Sequence, residues 1–179
     1  MRLSRYVLFH KNLYHSPTKK LYPAMVCIVV DLNTKEIKGI HRTYLIASGH
    51  KADIAPNKMM YGSCMGGGVI VTKGCKDILL VGEGIETTMS LAMFYSNITA
   101  IATLSASNMK NLELPKNKIR KLIIGADGDE VGIEAAQILK ERMIKNGLEV
   151  DIKTAPIGKD CNDILIDMQN GRIPYDSPL

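Results

Sequence analysis

Residues 122–143, LIIGADGDEVGIEAAQILKERM, decide the fold of this chain. The stretch begins with an apolar run typical of a buried strand, passes through the turn sequence DGD at 127–129, and continues into a helix predicted over residues 130–146. Gly147 is typical of the position just past a helix end. A buried strand that leads through a short turn into a helix is the repeating unit of a parallel α/β sheet.

The same unit recurs along the second part of the chain. Apolar strands are predicted at residues 78–81, 98–103 and 150–154, and helices at 85–95 and 160–168. Strands that alternate with helices form a mostly parallel sheet with helices on both of its faces. We therefore predict an α/β fold.

The first part of the chain predicts a smaller, antiparallel arrangement. Residues 24–30 form a β-branched run, and residues 37–45 alternate as a returning strand does. A polar loop is expected at 47–57, and a short third strand at 69–71 follows three glycines. We therefore expect a small β-rich subdomain before the α/β domain.

Positive charge is concentrated in this first part. The 179 residues carry a net charge of +5 with a pI near 9.0, and acidic residues are few in the first 60 positions. A basic part beside an acidic site suits an enzyme that holds phosphates with one part and a metal with the other, whereas the alternative is a solvated basic surface without a partner. We place the boundary between a basic N-terminal subdomain, residues 1–74, and the α/β domain, residues 75–179.

The composition argues against several classes of protein. Hydrophobic residues make up 46% of the chain, which suits a folded core, but no uncharged apolar stretch is long enough for a membrane helix. The N-terminus lacks the features of a secretory signal. The four cysteines form no CxxC pair and lie near no His at zinc-finger spacing, so free thiols are predicted and no zinc is expected. These features predict a cytoplasmic protein without a membrane partner.

Three carboxylates follow the ends of predicted strands. Glu83 lies in a GEG sequence after one strand, and Asp127 and Asp129 lie after another. The carboxyl ends of parallel strands meet at one edge of a sheet, and converging carboxylates require a cation. Mg²⁺ suits them because it prefers oxygen ligands and keeps waters that phosphates can replace. The alternative is that Asp127 and Asp129 are turn formers or cap the next helix.

These motifs together resemble the Toprim domain, which bacterial-type primases, topoisomerases and some nucleases share. The resemblance rests first on VGEGIET (81–87) and on residues 122–143. GKDCNDIL (158–165) is similar to the terminal element of the branch that contains the primases of phages and plasmids. LFHKNLYH (8–15) and IKGIHRTYL (37–45) resemble the basic subdomain that precedes Toprim in mobile-element primases.

The resemblance implies the catalytic core of a DNA primase, which makes RNA primers by Mg²⁺-dependent nucleotidyl transfer on a single-stranded DNA template. Glu83 would be a metal ligand or general acid/base, and Asp127 and Asp129 would hold Mg²⁺, or Mn²⁺, against the incoming nucleoside triphosphate. Asp163 is a further metal-ligand candidate. Glu86 could face the site, but we favour the simpler interpretation of an acid that stabilises the first turn of a helix.

Four basic residues are candidates for binding nucleic acid or nucleotide. They are His41, Arg42, Lys58 and Lys159. An Arg offers a planar fork for phosphate, although His41 and Arg42 could instead be exposed positions of an edge strand. His10 and His15 lack a third ligand for a metal, and we expect both on the surface of a loop.

Two other functions compete with that of a primase core. A small Toprim nuclease would use the same metal to cleave DNA, and a nucleic-acid-binding fragment of a primase-helicase would keep the fold without turnover. A topoisomerase is not expected, because the sequence has no room for a separate strand-cleaving tyrosine domain. The resemblance implies a zinc-binding module and a replicative helicase as further partners, to be supplied separately.

Overall fold

The chain forms two β-sheets that pack against each other. The computed structural model describes residues 2–95, 97–115, 119–154, 166–167 and 170. An antiparallel four-stranded sheet comes first, followed by a five-stranded, mostly parallel sheet with helices on both faces. This confirms the predicted α/β fold and the β-rich part before it. No helix within the described residues is both long enough and apolar enough to cross a membrane.

The first sheet contains four strands in sequence order. They are β1 (Val7–His15), β2 (Lys20–Val30), β3 (Ile37–Tyr44) and β4 (Lys58–Gly62), each antiparallel to the next. The two interior strands, β2 and β3, correspond to the strands predicted at residues 24–30 and 37–45, which confirms that prediction. The edge strands β1 and β4 were not predicted, because most of their residues are exposed and lack the alternation of buried and exposed positions.

The second sheet has the strand order β5-β7-β6-β8-β9. Its strands are β5 (Val69–Thr72), β6 (Ile78–Gly82), β7 (Thr99–Ala102), β8 (Lys121–Ala126) and β9 (Glu149–Thr154). The last four are mutually parallel, and β5 is antiparallel to β7. The short strand predicted after the three glycines therefore exists, but it forms the edge of the second sheet and not part of the first.

Helices cover both faces of this sheet. One face packs against α1 (Ile85–Ala92), and the other packs against α2 (Ala106–Lys110) and α3 (Glu130–Lys145). Gly147 follows the end of α3 with a φ of +84°, which confirms its predicted role. Small residues of α3, among them Ala135 and Ala136, pack on the sheet, whereas Ile133 is exposed. Most of the helix predicted at residues 160–168 lies outside the described residues.

The two sheets meet at the three glycines of residues 66–68. Gly68 exchanges two backbone hydrogen bonds with Val30 at the end of β2, each 3.0 Å long. A Cβ on Gly67 would lie 2.8 Å from the Val30 carbonyl oxygen, and one on Gly68 would lie 2.7 Å from Cγ2 of Ile101. Only glycine therefore allows the sheets to approach this closely.

A shared apolar core follows from this close approach. One side of the first sheet packs against β5 and against the start of α1. The buried residues of this core are Cys27, Val29, Cys64, Val69, Val71, Ile85 and Ala102. The packing places the first sheet beside the carboxyl ends of the parallel strands.

The two N-terminal histidines lie on β1 and not in a loop. His10 is exposed as predicted, but His15 is fully buried and its predicted surface position was wrong. Its Nδ1 lies 2.9 Å from the Thr18 hydroxyl, and its ring centroid lies 4.6 Å from that of Tyr44. The reason is a register shift between His10 and Leu13, which turns later odd-numbered residues of β1 to the opposite side of the sheet.

Candidate active site

The predicted carboxylates follow two adjacent strands. Glu83 comes directly after β6, and Asp127 comes directly after β8. Because β6 and β8 are parallel and pair Gly82 with Gly125, both carboxylates emerge at the same edge of the sheet. The two residues line one groove, as the sequence predicted from their positions after strands.

This groove has a volume of about 690 Å³ and two walls of different character. The strand ends of the second sheet contribute the carboxylates of Glu83 and Asp127, and helix α1 contributes Glu86 and Thr87. The first sheet and its β3–β4 loop contribute Met25, Thr43, Lys51 and Lys58. An acidic wall therefore faces a wall that carries two lysines.

Glu83 is half-buried at the base of the acidic wall. Burial raises the pKa of its carboxyl, and the negative charge of Asp129 raises it further, whereas a hydrogen bond from the Ala106 backbone N–H and the charge of Lys58 act in the opposite direction. The backbone carbonyl of Glu83 accepts a 2.8 Å hydrogen bond from the Leu104 N–H. The loop after β7 therefore holds Glu83 in place, while Glu83 and Asp129 are close enough to repel each other.

Asp129 caps helix α3. Its Oδ1 accepts a hydrogen bond of 2.7 Å from the backbone N–H of Gly132. The capping role that the sequence offered as an alternative is therefore correct for Asp129. A carboxylate has two acceptor oxygens, so capping through Oδ1 is compatible with a second role for this exposed side chain.

Glu86 joins the two walls of the groove. Its carboxylate lies 3.2 Å from the Lys51 Nζ and 3.7 Å from the Lys58 Nζ. Burial raises the pKa of Glu86, but its own backbone N–H and these two lysines outweigh burial and lower the pKa below the ordinary value. Glu86 is thus both an acid in the first turn of α1 and a residue that faces the site. Lys51 was missed, because nothing in the polar loop around it distinguishes it from a solvated lysine.

His41 and Arg42 lie on β3, an interior strand, so the edge-strand alternative is wrong. His41 is only 7% exposed, and burial, followed by the charge of Lys58, lowers its pKa to about 4. It is therefore neutral at pH 7. Arg42 pairs with Val26 and Met59 on the opposite side of the sheet, so the structure does not bring it into the groove with Lys58.

Buried polar atoms next to the groove lack partners within the described part of the chain. They are the His41 Nδ1 and the Thr43 hydroxyl; the Arg42 Nε, on the opposite side of the sheet, also lacks a partner there. The Thr43 side chain is fully buried and also lines the groove.

The residues predicted to bind metal do not form a complete set of metal ligands within the described part of the chain. Among the described residues, no three His, Cys, Asp or Glu side chains lie close enough together to hold a metal ion by themselves. Asp163 and Lys159 lie outside the described residues. The metal-binding roles of Glu83, Asp127 and Asp129 stay predictions.

Comparison with solved structures shows where this fold occurs. A DNA primase domain from Pseudomonas aeruginosa is 21% identical, with a TM-score of 0.53 over 93% of this chain and 55% of that one. A DnaG primase catalytic domain bound to ssDNA is 17% identical, with a TM-score of 0.51 over 92% of this chain and 56% of that one. A DnaG catalytic core is 18% identical, with a TM-score of 0.51 over 83% of this chain and 51% of that one. The chain thus shares the fold of these domains and spans about half of their length.

Comparison with protein families divides the chain into two matched regions. A search of curated proteins found no match. A domain of unknown function (DUF7146) matches residues 2–71. The Toprim domain matches residues 78–171, which include Glu83, Asp127 and Asp129 and make up more than half of the chain. The chain therefore belongs to the Toprim domain family.

Proposed function

We propose that this chain is the catalytic core of a DNA primase, which joins ribonucleotides into an RNA primer on a single-stranded DNA template. The observation that carries the proposal is the two-walled groove, in which Glu83 and Asp127 face Lys51 and Lys58. Residues 1–74 supply the basic wall and residues 75–179 the acidic one. The fold neighbours that are described as primases support this choice among the functions of Toprim proteins.

The acidic wall suits Mg²⁺, or Mn²⁺, as the metal of this reaction. The donors at the strand ends are carboxylate oxygens, which hard divalent cations prefer, and Asp129 is near enough to Glu83 to raise its pKa. The lack of a closed cage among the described residues fits a cation that keeps several waters and takes further ligands from phosphates. Bound Mg²⁺ would neutralise the triphosphate and favour the ionised form of the attacking hydroxyl.

The side chains that line the groove have separate proposed roles in this reaction. Lys51 and Lys58 attract the triphosphate, and Glu86 holds both lysines at the rim of the site. Glu83 is placed to bind the metal or to accept a proton, since its raised pKa makes it a stronger base than an exposed carboxylate.

The proposed partners are single-stranded DNA and nucleoside triphosphates, together with a zinc-binding module and a replicative helicase. The zinc-binding module would assist template recognition, and the helicase would present the unwound strand.

A primer-synthesis assay tests the proposal. The chain is incubated with single-stranded DNA, labelled ribonucleoside triphosphates and Mg²⁺ or Mn²⁺, beside Glu83→Gln and the double variant Asp127→Asn with Asp129→Asn. Asn also caps helices well, so the double variant should keep its fold while losing activity. New labelled oligomers from the unmodified chain alone support a primase. Shortened DNA would support a nuclease instead, and equal synthesis by the double variant would refute the assigned site.

A further inference from the structure

The side of the first sheet that lines the groove continues beyond it and carries exposed aromatic rings. Phe9 on β1 is 68% exposed, and Tyr14, further along β1, is 54% exposed. Phe9 pairs with Met25, and Tyr14 pairs with Leu21, so both rings lie on the side of β2 that carries Met25. The register shift between His10 and Leu13 brings Tyr14 to this side.

This aromatic surface is continuous with the active-site groove. The pairs Phe9–Met25, Met25–Thr43 and Thr43–Lys58 form one row across all four strands. Met25, Thr43 and Lys58 line the groove, and Phe9 extends the row past it. Three strand spacings separate Phe9 from Lys58, which is about 14 Å. A few nucleotides of an extended strand cover that distance.

Charge around the rings favours a polyanion. Residues 1–30 contain five Lys and Arg residues and no Asp or Glu. Lys11 lies between the two rings along β1 and is exposed, and no ion pair within the described residues involves it. Exposed rings beside a free lysine are typical of surfaces on which the bases of single strands stack while cations contact the phosphates.

The edge of β1 is a poor site for another protein strand. The register shift interrupts its hydrogen-bonding pattern, and Lys11 lies within the interruption. Bulges and lysines on edge strands are features that prevent pairing with another sheet. A second copy of this chain, or an extended peptide, is therefore not favoured as the occupant.

We infer that Phe9 and Tyr14 form a stacking platform for unpaired bases of single-stranded nucleic acid, and that the platform leads the strand into the groove. The inference rests on the proposed function, because it assigns a path to the template of that reaction. Binding to the platform needs neither metal nor nucleotide, so it can be tested apart from catalysis.

Tryptophan replacement gives a direct test, since the chain contains no Trp. Phe9→Trp places one fluorescent ring on the platform. Tyr61→Trp is the matched control, because Tyr61 is 74% exposed but pairs with Ile40 on the opposite side of the same sheet. Both variants are titrated with an oligothymidine strand in chelator. Quenching of the ring at position 9, without quenching at position 61, is expected. Equal quenching at both positions, or none at position 9, would overturn the inference.

Affinity measurements in chelator complete the test. Phe9→Ala and Tyr14→Ala should each weaken binding of a labelled oligothymidine about tenfold, whereas Tyr61→Ala should not. An abasic strand should bind the unmodified chain as weakly as it binds Phe9→Ala. Unchanged affinity in the platform variants overturns the inference even if primers are made. Conversely, platform-dependent binding without primer synthesis supports it and counts against the proposed function alone.

Discussion

Asn108 on α2 is expected to be a principal structural support of the groove. Its side chain is almost fully buried and makes three hydrogen bonds. Nδ2 donates to the Gly67 carbonyl at 2.9 Å and to the Thr103 carbonyl at 2.6 Å, and Oδ1 accepts from the Gly66 N–H at 2.7 Å. The side-chain amide of Asn108 therefore links the glycines at which the two sheets meet to the loop that holds Glu83.

Asn108→Ala should destabilise the fold by roughly 3 kcal/mol, because each net hydrogen bond contributes about 1 kcal/mol and the buried groups left behind lose their partner. For a domain of this length, that loss lowers the melting temperature by roughly 6 to 12 °C. The backbone of Glu83 should also be held less firmly, since the Thr103 loop carries the N–H that binds its carbonyl.

Urea unfolding followed by circular dichroism measures this loss. Asn111→Ala is the matched control, because Asn111 caps the C-terminus of the same helix and donates one exposed side-chain hydrogen bond, to the Ser107 carbonyl. Its expected loss is below about 0.5 kcal/mol. If Asn108→Ala loses less than about 1 kcal/mol, or no more than the control, then the amide does not join the two sheets as argued.

The two glutamates near the start of α1 should respond oppositely to pH. The pKa of Glu83 is raised above its ordinary 4.5, so its ionisation weakens the fold as pH rises, and Glu83→Gln should gain stability relative to the unmodified chain between pH 4 and 7. The pKa of Glu86 is lowered, so its charge stabilises the fold above about pH 4.5 and this contribution is lost in acid. Glu86→Gln should therefore lose up to about 1 kcal/mol at pH 7 and nothing at pH 3. Asp129→Ala should lose about 1 kcal/mol of helix capping, which Asp129→Asn keeps. Urea unfolding midpoints measured across this pH range check all three expectations. They would be contradicted if the stabilities of the two glutamine variants changed with pH in the same way, or if Asp129→Ala and Asp129→Asn lost equal stability.

The acidic wall was predictable from the sequence because its signals are local. An apolar run followed by GEG or DGD indicates a buried strand and the turn after it, and parallel strands align their carboxyl ends. The structure places Glu83 and Asp127 at one edge for that reason. Gly147 is an equally local signal, since a left-handed residue ends many helices.

The edge strands and the side on which their residues lie were not predictable in the same way. Exposed strands such as β1 carry mixed polar and apolar residues, so no alternation marks them. The register shift in β1 is set by pairing with β2, and it buries His15 while it exposes Tyr14 on the groove side. One irregularity in strand pairing thus gives His15 and Tyr14 opposite environments, in a stretch for which the sequence predicted a loop.

The basic wall depends on the packing of the two sheets, and this explains why Lys51 was missed. Its charge faces the site only because residues 66–68 allow the first sheet to approach the second, where Glu86 pairs with Lys51 and Lys58. Since the acidic wall follows from strand order and the basic wall from close packing at glycine, a substitution such as Gly68→Ala should disturb the lysines while leaving the carboxylates at their strand ends. A substrate that bridges both walls therefore depends on contacts between the two sheets as much as on the residues that touch it.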